Sequence, residues 1–104
     1  MSHIVRDPKI IWRVEKQREE KVRQALEAGD EPSEAGTVIL VVSGTMHQLN
    51  FVGGSIWQLC DGTRDCEAIV SELAQEFDVE REQLAADVQE FVDDLVDREW
   101  LYYE

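Results

Sequence analysis

Two cysteines and two histidines are the residues of this chain best suited to binding zinc or to forming a cysteine–histidine nucleophile. Cys60 and Cys66 stand on either side of a predicted helix end, whereas paired zinc ligands usually have only about two to four residues between them. His3 and His47 would have to complete such a ligand set. Cys60 and His47 could act as nucleophile and base, but no third group that would orient the histidine is indicated. We therefore expect both thiols to be reduced core residues, with no metal and no other cofactor.

Carboxylates crowd a late segment of the chain, and paired carboxylates can perform general acid–base catalysis. They are Asp87, Glu90, Asp93, Asp94 and Asp97. They recur around the polar side of one predicted helix, which is typical of a solvated face. The alternative is an electrostatic docking face for a basic peptide or for the surface of an enzyme. Gly53 and Gly54 lack the other glycines and the lysine of a phosphate-binding loop. No catalytic set is indicated, so we expect the protein not to be an enzyme.

Length and charge narrow the function classes further. The 104 residues are enough for one domain over 1–104 with a hydrophobic core. Ten Lys and Arg oppose 23 Asp and Glu, for a net charge of -13, so phosphates would be repelled and we expect no nucleic-acid partner. The sequence contains no apolar run of about 18 residues, the length that would predict a membrane span. The first residues lack the pattern of a signal peptide, so we expect a cytoplasmic protein.

Strands are predicted first along the chain. Residues 9–14 carry β-branched and aromatic types, and residues 37–42 form a continuous apolar run typical of a central strand. Ser43 and Gly44 then predict a tight hairpin to a third strand over 45–50. A loop of those two residues would pair Val42 with Thr45, Leu40 with His47 and Val38 with Leu49.

The segment from about residue 15 to 36 separates the first two predicted strands. Helix-forming residues dominate its first part, and Gly29 and Pro32 are stop signals. Its apolar stripe is thin. It could be an arm that contacts a partner, or else a solvated helical or flexible insertion between strands.

Three helices are predicted after residue 50. Asn50 is a suitable N-cap for the first helix, and Asp61-Gly62 would end it. Asp65 would cap the second helix and Asp78 would open the third, which should cover about 80–98. The predicted order is therefore βββααα, an α+β fold.

Several of these segments together resemble the PqqD-like family. The resemblance is carried by Leu49-Asn50, by IWQLCDG over 56–62, by Ile69-Val70 with Leu73, and by DVQEFV over 87–92 with Leu95. It covers about residues 37 to 101, and IWQLCDG is its most specific part. Members of this family are peptide chaperones for ribosomally made, post-translationally modified peptides (RiPPs), and their domain is called the RiPP recognition element.

The resemblance implies a winged-helix-like arrangement, with a three-stranded antiparallel sheet followed by three helices, and a binding function without catalysis. The leader of a precursor peptide would add as a strand to the third strand, with its apolar side chains in a groove beside the third helix. The complex would then meet a modifying enzyme, often a radical S-adenosylmethionine (SAM) enzyme. The implied peptide-binding residues are Thr45, Met46, His47, Gln48, Leu49 and Asn50 on the strand, and Val88, Phe91, Val92 and Leu95 on the helix.

Two rival functions and one departure from the family pattern accompany this hypothesis. A winged-helix regulator of nucleic acid would need a basic third helix, but only Arg81 and Arg98 oppose its acids. A small metal or cysteine enzyme is the other rival.

The departure from the family pattern is the 15–36 insertion, which is longer than the link usual between the first two strands. It could also permit strand exchange, so a homodimer is possible.

Overall fold

The computed structural model describes residues 3–29, 36–77 and 79–104. Within them the chain forms two compact units, one made of the residues up to Pro8 with Ser55–Glu104, the other of Lys9–Gly54. The elements are β1 (Ile4–Arg6), β2 (Ile11–Val14), α1 (Lys16–Glu27), β3 (Val38–Val42), β4 (Thr45–Leu49), α2 (Phe51–Leu59), α3 (Cys66–Glu76), α4 (Arg81–Asp97) and β5 (Leu101–Tyr103). A single domain over 1–104 stays a prediction.

The Lys9–Gly54 unit contains a three-stranded antiparallel sheet in the order β2-β3-β4. Its central strand β3 is the apolar run expected there, and its first three residues are buried. The hairpin to β4 has the predicted register: Val42 pairs with Thr45, Leu40 with His47 and Val38 with Leu49. Ser43 and Gly44 have φ values of 49° and 80°, and positive φ at both loop residues is the mirror-image turn that suits strand twist.

Strand β2 and helix α1 complete this unit. The ladder between β2 and β3 continues to Glu15, whose N–H donates to the Thr37 carbonyl at 2.7 Å. Helix α1 follows at once, and Gly29, at φ 83°, stands just after its end. Val22 is buried, and the Arg23 guanidinium lies 5.6 Å from the centre of the Phe51 ring.

The outcome for the insertion follows from these contacts. Of its described residues, Lys16–Glu27 form helix α1, so the helical alternative is correct there. Residues 30–35, with the predicted stop at Pro32, lie outside the described residues. That the segment contacts a partner stays a prediction.

A second sheet was not predicted, and the order βββααα is incomplete. β1 and β5 form a two-stranded antiparallel sheet that pairs Ile4 with Tyr103 and Arg6 with Leu101. Ile4 and Leu101 are fully buried. Each strand has only three residues, and nearly the whole chain separates them, so no local pattern marks their pairing.

Helices α2, α3 and α4 occupy the predicted places. The Asn50 side chain accepts from the Gly53 N–H at 2.8 Å, and that of Asp65 accepts from the Ala68 N–H at 2.9 Å, so both predicted caps are present. Gly62 is left-handed, at φ 87°, but its N–H donates to the Ile4 carbonyl of β1 instead of closing α2. The predicted opening of α4 at Asp78 lies outside the described residues.

The two last helices each bury one apolar stripe, as their spacing predicts. The buried members are Ile69, Val70 and Leu73 on α3, and Leu84, Val88, Val92 and Leu95 on α4. No helix in the described part of the chain is both long enough and apolar enough to cross a membrane.

Candidate functional site

Strand β4 is an edge of its sheet, and its backbone alternates between two directions. The Thr37 N–H donates to the Leu49 carbonyl at 2.8 Å, so that carbonyl points toward β3. Because backbone groups alternate along an antiparallel pair, Leu49 and every second residue before it face β3. Met46 and Gln48 therefore turn their N–H and C=O groups away from β3. Among the residues that the structure describes, no strand pairs with that outer side of β4.

The six strand residues of the predicted site differ in exposure. Thr45, Met46, Gln48 and Asn50 are exposed, while His47 and Leu49 are half-buried. The Asn50 side chain is already bonded to the start of α2. Gln48 lies over Gly36, where an added Cβ would collide with the Gln48 side chain. The sequence does not indicate that position 36 requires glycine, because the requirement comes from the close approach of the Gln48 side chain in the folded protein.

The four helix residues of the predicted site lie together on α4, mostly inside its core-facing stripe. Val88 and Val92 are fully buried, Leu95 is 3% exposed, and Phe91 is half-buried. Phe91 is therefore the member of this set whose side chain keeps exposed surface. Contact between these four residues and a peptide stays a prediction.

The outer face of α4 is acidic, as its sequence pattern predicts. Asp87, Glu90, Asp93, Asp94 and Asp97 are all exposed. Short-range partners hold three of the carboxylates: Gln83 donates to Asp87 at 3.0 Å, Gln89 donates to Asp93 at 2.8 Å, and Arg98 lies 3.3 Å from Asp94. In each pair the two residues are four apart and are therefore neighbours on the helix surface. The acids thus form a solvated surface.

Both thiols are free, and the pKa of each is raised. Cys60 is fully buried, its Sγ donates to the Ile56 carbonyl at 3.2 Å, and burial raises its pKa to about 12. Cys66 is half-buried. Burial is the largest cause that raises its pKa, and the nearby carboxylates of Asp93 and Asp65 raise it further. A thiolate is the nucleophilic form of cysteine, so the raised pKa makes each thiol less nucleophilic at neutral pH than an ordinary cysteine. The core placement predicted for both thiols is correct for Cys60, whereas Cys66 keeps exposed surface because the start of α3 is not fully covered.

Within residues 3–29, 36–77 and 79–104, no three His, Cys, Asp or Glu side chains gather as potential metal ligands.

Arg6 has a structural role that the sequence did not reveal. Its guanidinium donates to the carbonyls of Trp57 and Gln58 at 2.8 and 3.0 Å, which places a cation at the end of α2, where the helix dipole favours one.

The family model of PqqD, described as coenzyme PQQ synthesis protein D, matches residues 32–101. That range is well over half of the 104 residues. The chain belongs to the PqqD family. The resemblance found from the sequence motifs is thereby confirmed. In this PqqD-family protein the matched range contains β3, β4 and α2 to α4, whereas β1, β2 and α1 precede it.

A solved structure supports the α+β fold. It is described as TbiB1 in complex with the TbiA(beta) leader peptide, and its TM-score to this chain is 0.63. The two are 21% identical, and the match covers 93% of each chain. At this identity the likeness establishes the fold alone. None of the curated proteins matches the sequence significantly.

Proposed function

We propose that this PqqD-family protein is a carrier without catalytic activity, which binds the leader of a ribosomal precursor peptide as an added strand on β4. It then presents the precursor to a modifying enzyme. Family membership and the leader complex of TbiB1 support this function. The observation that carries it is the outer edge of β4, where Met46 and Gln48 direct backbone groups away from β3.

An edge strand suits this task for a physical reason. Its outward N–H and C=O groups can pair with any extended chain, so main-chain hydrogen bonds supply affinity while side chains supply specificity. Both strand pairs of the existing sheet are antiparallel, and we propose the same direction for the leader. Met46 and Gln48 would then each form a hydrogen-bonded pair with one leader residue.

The opposite edge of the sheet, β2, is the less suitable acceptor. The bond from the Glu15 N–H to the Thr37 carbonyl implies that Ile11 and Arg13 face β3, so Val14 turns its backbone outward. β2 has four residues against the five of β4, and it precedes the range matched by the PqqD model. The leader should therefore choose β4, the edge that the family match includes.

The remaining parts of the proposal come from the family resemblance. The modifying enzyme would be a radical SAM enzyme, and the fold would be winged-helix-like. Binding would take place in the cytoplasm, where a newly made precursor first meets its enzyme. Contact of Val88, Phe91, Val92 and Leu95 with the leader belongs to the same proposal, as does a homodimer formed through an open edge.

Proline substitutions on β4 test the mechanism, with a synthetic leader of the precursor encoded beside this gene as ligand. Gln48→Pro removes an outward N–H, so the protein should stay folded while Kd rises at least about tenfold, which corresponds to about 1.4 kcal/mol. His47→Pro deletes a bond to β3 and should destabilise the hairpin by about 1–3 kcal/mol. Val14→Pro is the matched control on the β2 edge and should leave Kd unchanged.

Circular dichroism would establish folding, and calorimetry would give Kd. A folded Gln48→Pro protein that binds the leader as tightly as the parent would show that the leader does not add to this edge. Because Gln48 also covers Gly36, Met46→Pro provides a second outward position without that contact.

A further inference from the structure

An apolar row crosses the solvent side of the three-stranded sheet. Ile11 on β2 pairs with Val41 on β3, and Val41 pairs with Met46 on β4, so the three side chains lie side by side on one face. Ile11 is 71% exposed and Met46 62%, while Val41 is half-buried. Both ends of the row are therefore large apolar side chains in contact with solvent.

The neighbouring row on the same face has a different character. It consists of Arg13, Ile39 and Gln48, and its central residue is buried between two polar ends. Along β4, this face therefore changes from apolar at Met46 to polar at Gln48, two residues later. A strand added beside β4 would meet this change at two of its own positions, because side chains on one face recur every second residue.

We infer that Met46 selects an apolar side chain at the leader position paired with it, while the position paired with Gln48 accepts polar residues. This inference rests on the proposed strand addition. In an antiparallel pair, directly opposed side chains lie on the same face with Cβ atoms about 5 Å apart. An apolar leader residue opposite Met46 would extend the row from three strands to four and cover the exposed thioether side chain.

Two other occupants of the row are the modifying enzyme and a second copy of the chain, and the test separates them from the leader. Those partners would cover the whole row, and Ile11 and Met46 would then matter equally. A leader strand on β4 reaches only the Met46 end. Continuity with the proposed strand-addition edge favours the leader, and Ile11 supplies a matched control of nearly equal exposure.

The experiment uses a displayed library of random fifteen-residue peptides, selected on the full-length folded protein. Peptides whose binding is lost with Gln48→Pro are taken as edge binders. We expect them to share one apolar position, with a tolerant position two residues away. The same library selected on Met46→Lys should replace the apolar preference with Asp or Glu at that position alone. Edge binders from the parent selection should bind Met46→Lys at least tenfold more weakly, and Ile11→Lys should match the parent.

Each result has one meaning. If edge binders show no apolar position, or if Met46→Lys leaves the preference and the affinity unchanged, the inference is wrong while strand addition stands. If Ile11→Lys and Met46→Lys weaken binding equally, the row docks another partner and the inference is also wrong. If no selected peptide depends on Gln48, strand addition itself fails. Should Met46→Lys not fold, Met46→Thr tests the same loss of apolar surface.

Discussion

Strand β4 and helix α4 carry the two halves of the site expected from the sequence, and they differ in what they expose. On β4, Met46 and Gln48 are exposed and their backbone groups point away from β3. On α4, Val88 and Val92 are fully buried, and the exposed face is made of carboxylates. The predicted peptide-binding residues thus lie on an open surface in β4 and mostly in the core in α4.

The difference teaches that recognition residues need different signals in a strand and in a helix. An edge strand offers its backbone whatever its side chains are, so a correct register is enough to name the residues that face a ligand. A helix satisfies its own backbone and offers only side chains. Its apolar stripe is needed first for folding, so a stripe of Val and Leu indicates a core before it indicates a binding surface.

The largest effect that would test this contrast is the loss of folding when a charge enters the α4 stripe. Val92→Asp places an unpaired carboxylate in a fully buried position and should cost at least about 3 kcal/mol, a large share of the about 5–15 kcal/mol that typically stabilises a domain. Ala86→Asp adds the same group at an exposed position of α4 and should cost only about 1 kcal/mol, from the lower helix propensity of Asp and repulsion by Glu82 and Glu90. If Val92→Asp melts like the parent in circular dichroism, Val92 is not a core residue and a role in binding becomes the better account.

A smaller loss should follow from shortening the one buried side chain of α1. Val22→Ala removes two buried methyl groups and should cost about 1–2 kcal/mol, because each buried CH₂ contributes about 0.8 kcal/mol. Lys21→Ala, at an exposed neighbour, should be close to neutral. Urea titrations of both variants would measure the difference. Equal midpoints would mean that α1 is a solvated insertion and contributes nothing to the core.

The acidic face of α4 should have a weaker effect, visible only in binding. Exposed charges are screened beyond about 8 Å at physiological ionic strength, so basic peptides should lose affinity as salt rises. We expect basic edge-binding peptides to bind a few-fold more weakly at high than at low NaCl concentration, while neutral ones keep their Kd. A basic peptide with the same Kd at both concentrations would remove electrostatics from the account and leave strand addition untouched.

The smallest effect concerns the thiols and leaves the fold unchanged near neutral pH. Cys60 should resist alkylation at pH 8 in the folded protein, because burial raises its pKa to about 12 and its Sγ is covered, whereas half-buried Cys66 should react first. Ionisation of Cys60 should leave stability unchanged well below pH 9 and should lower it above pH 9, since the unfolded thiol ionises there while the folded one stays protonated up to about pH 12. Mass spectrometry of timed alkylation and melts of Cys60→Ala at alkaline pH would check both statements. Faster labelling of Cys60 than of Cys66 would contradict the assigned burial.

Local sequence patterns determined much of this protein. The apolar run of β3 followed by Ser43-Gly44 set the hairpin register, because a two-residue loop leaves one way to pair its flanks. Asn50 and Asp65 marked helix starts through side-chain oxygens that bond to N–H groups three residues on. The family motifs lie in these same segments, which is why membership could be inferred from the residues alone.

Tertiary structure alone decided the rest. The pairing of Ile4 with Tyr103 joins three-residue strands from distant parts of the chain, and such short segments carry no periodic signal. Gly36 owes its importance to the approach of Gln48, and Arg6 to the end of α2, which are contacts that spacing along the chain cannot express. The sequence showed that Val88 and Val92 share a face with Leu84. Only the packed structure showed that Val88 and Val92 keep no exposed surface while Phe91 beside them does, because a side chain's exposure depends on what the whole fold brings against it.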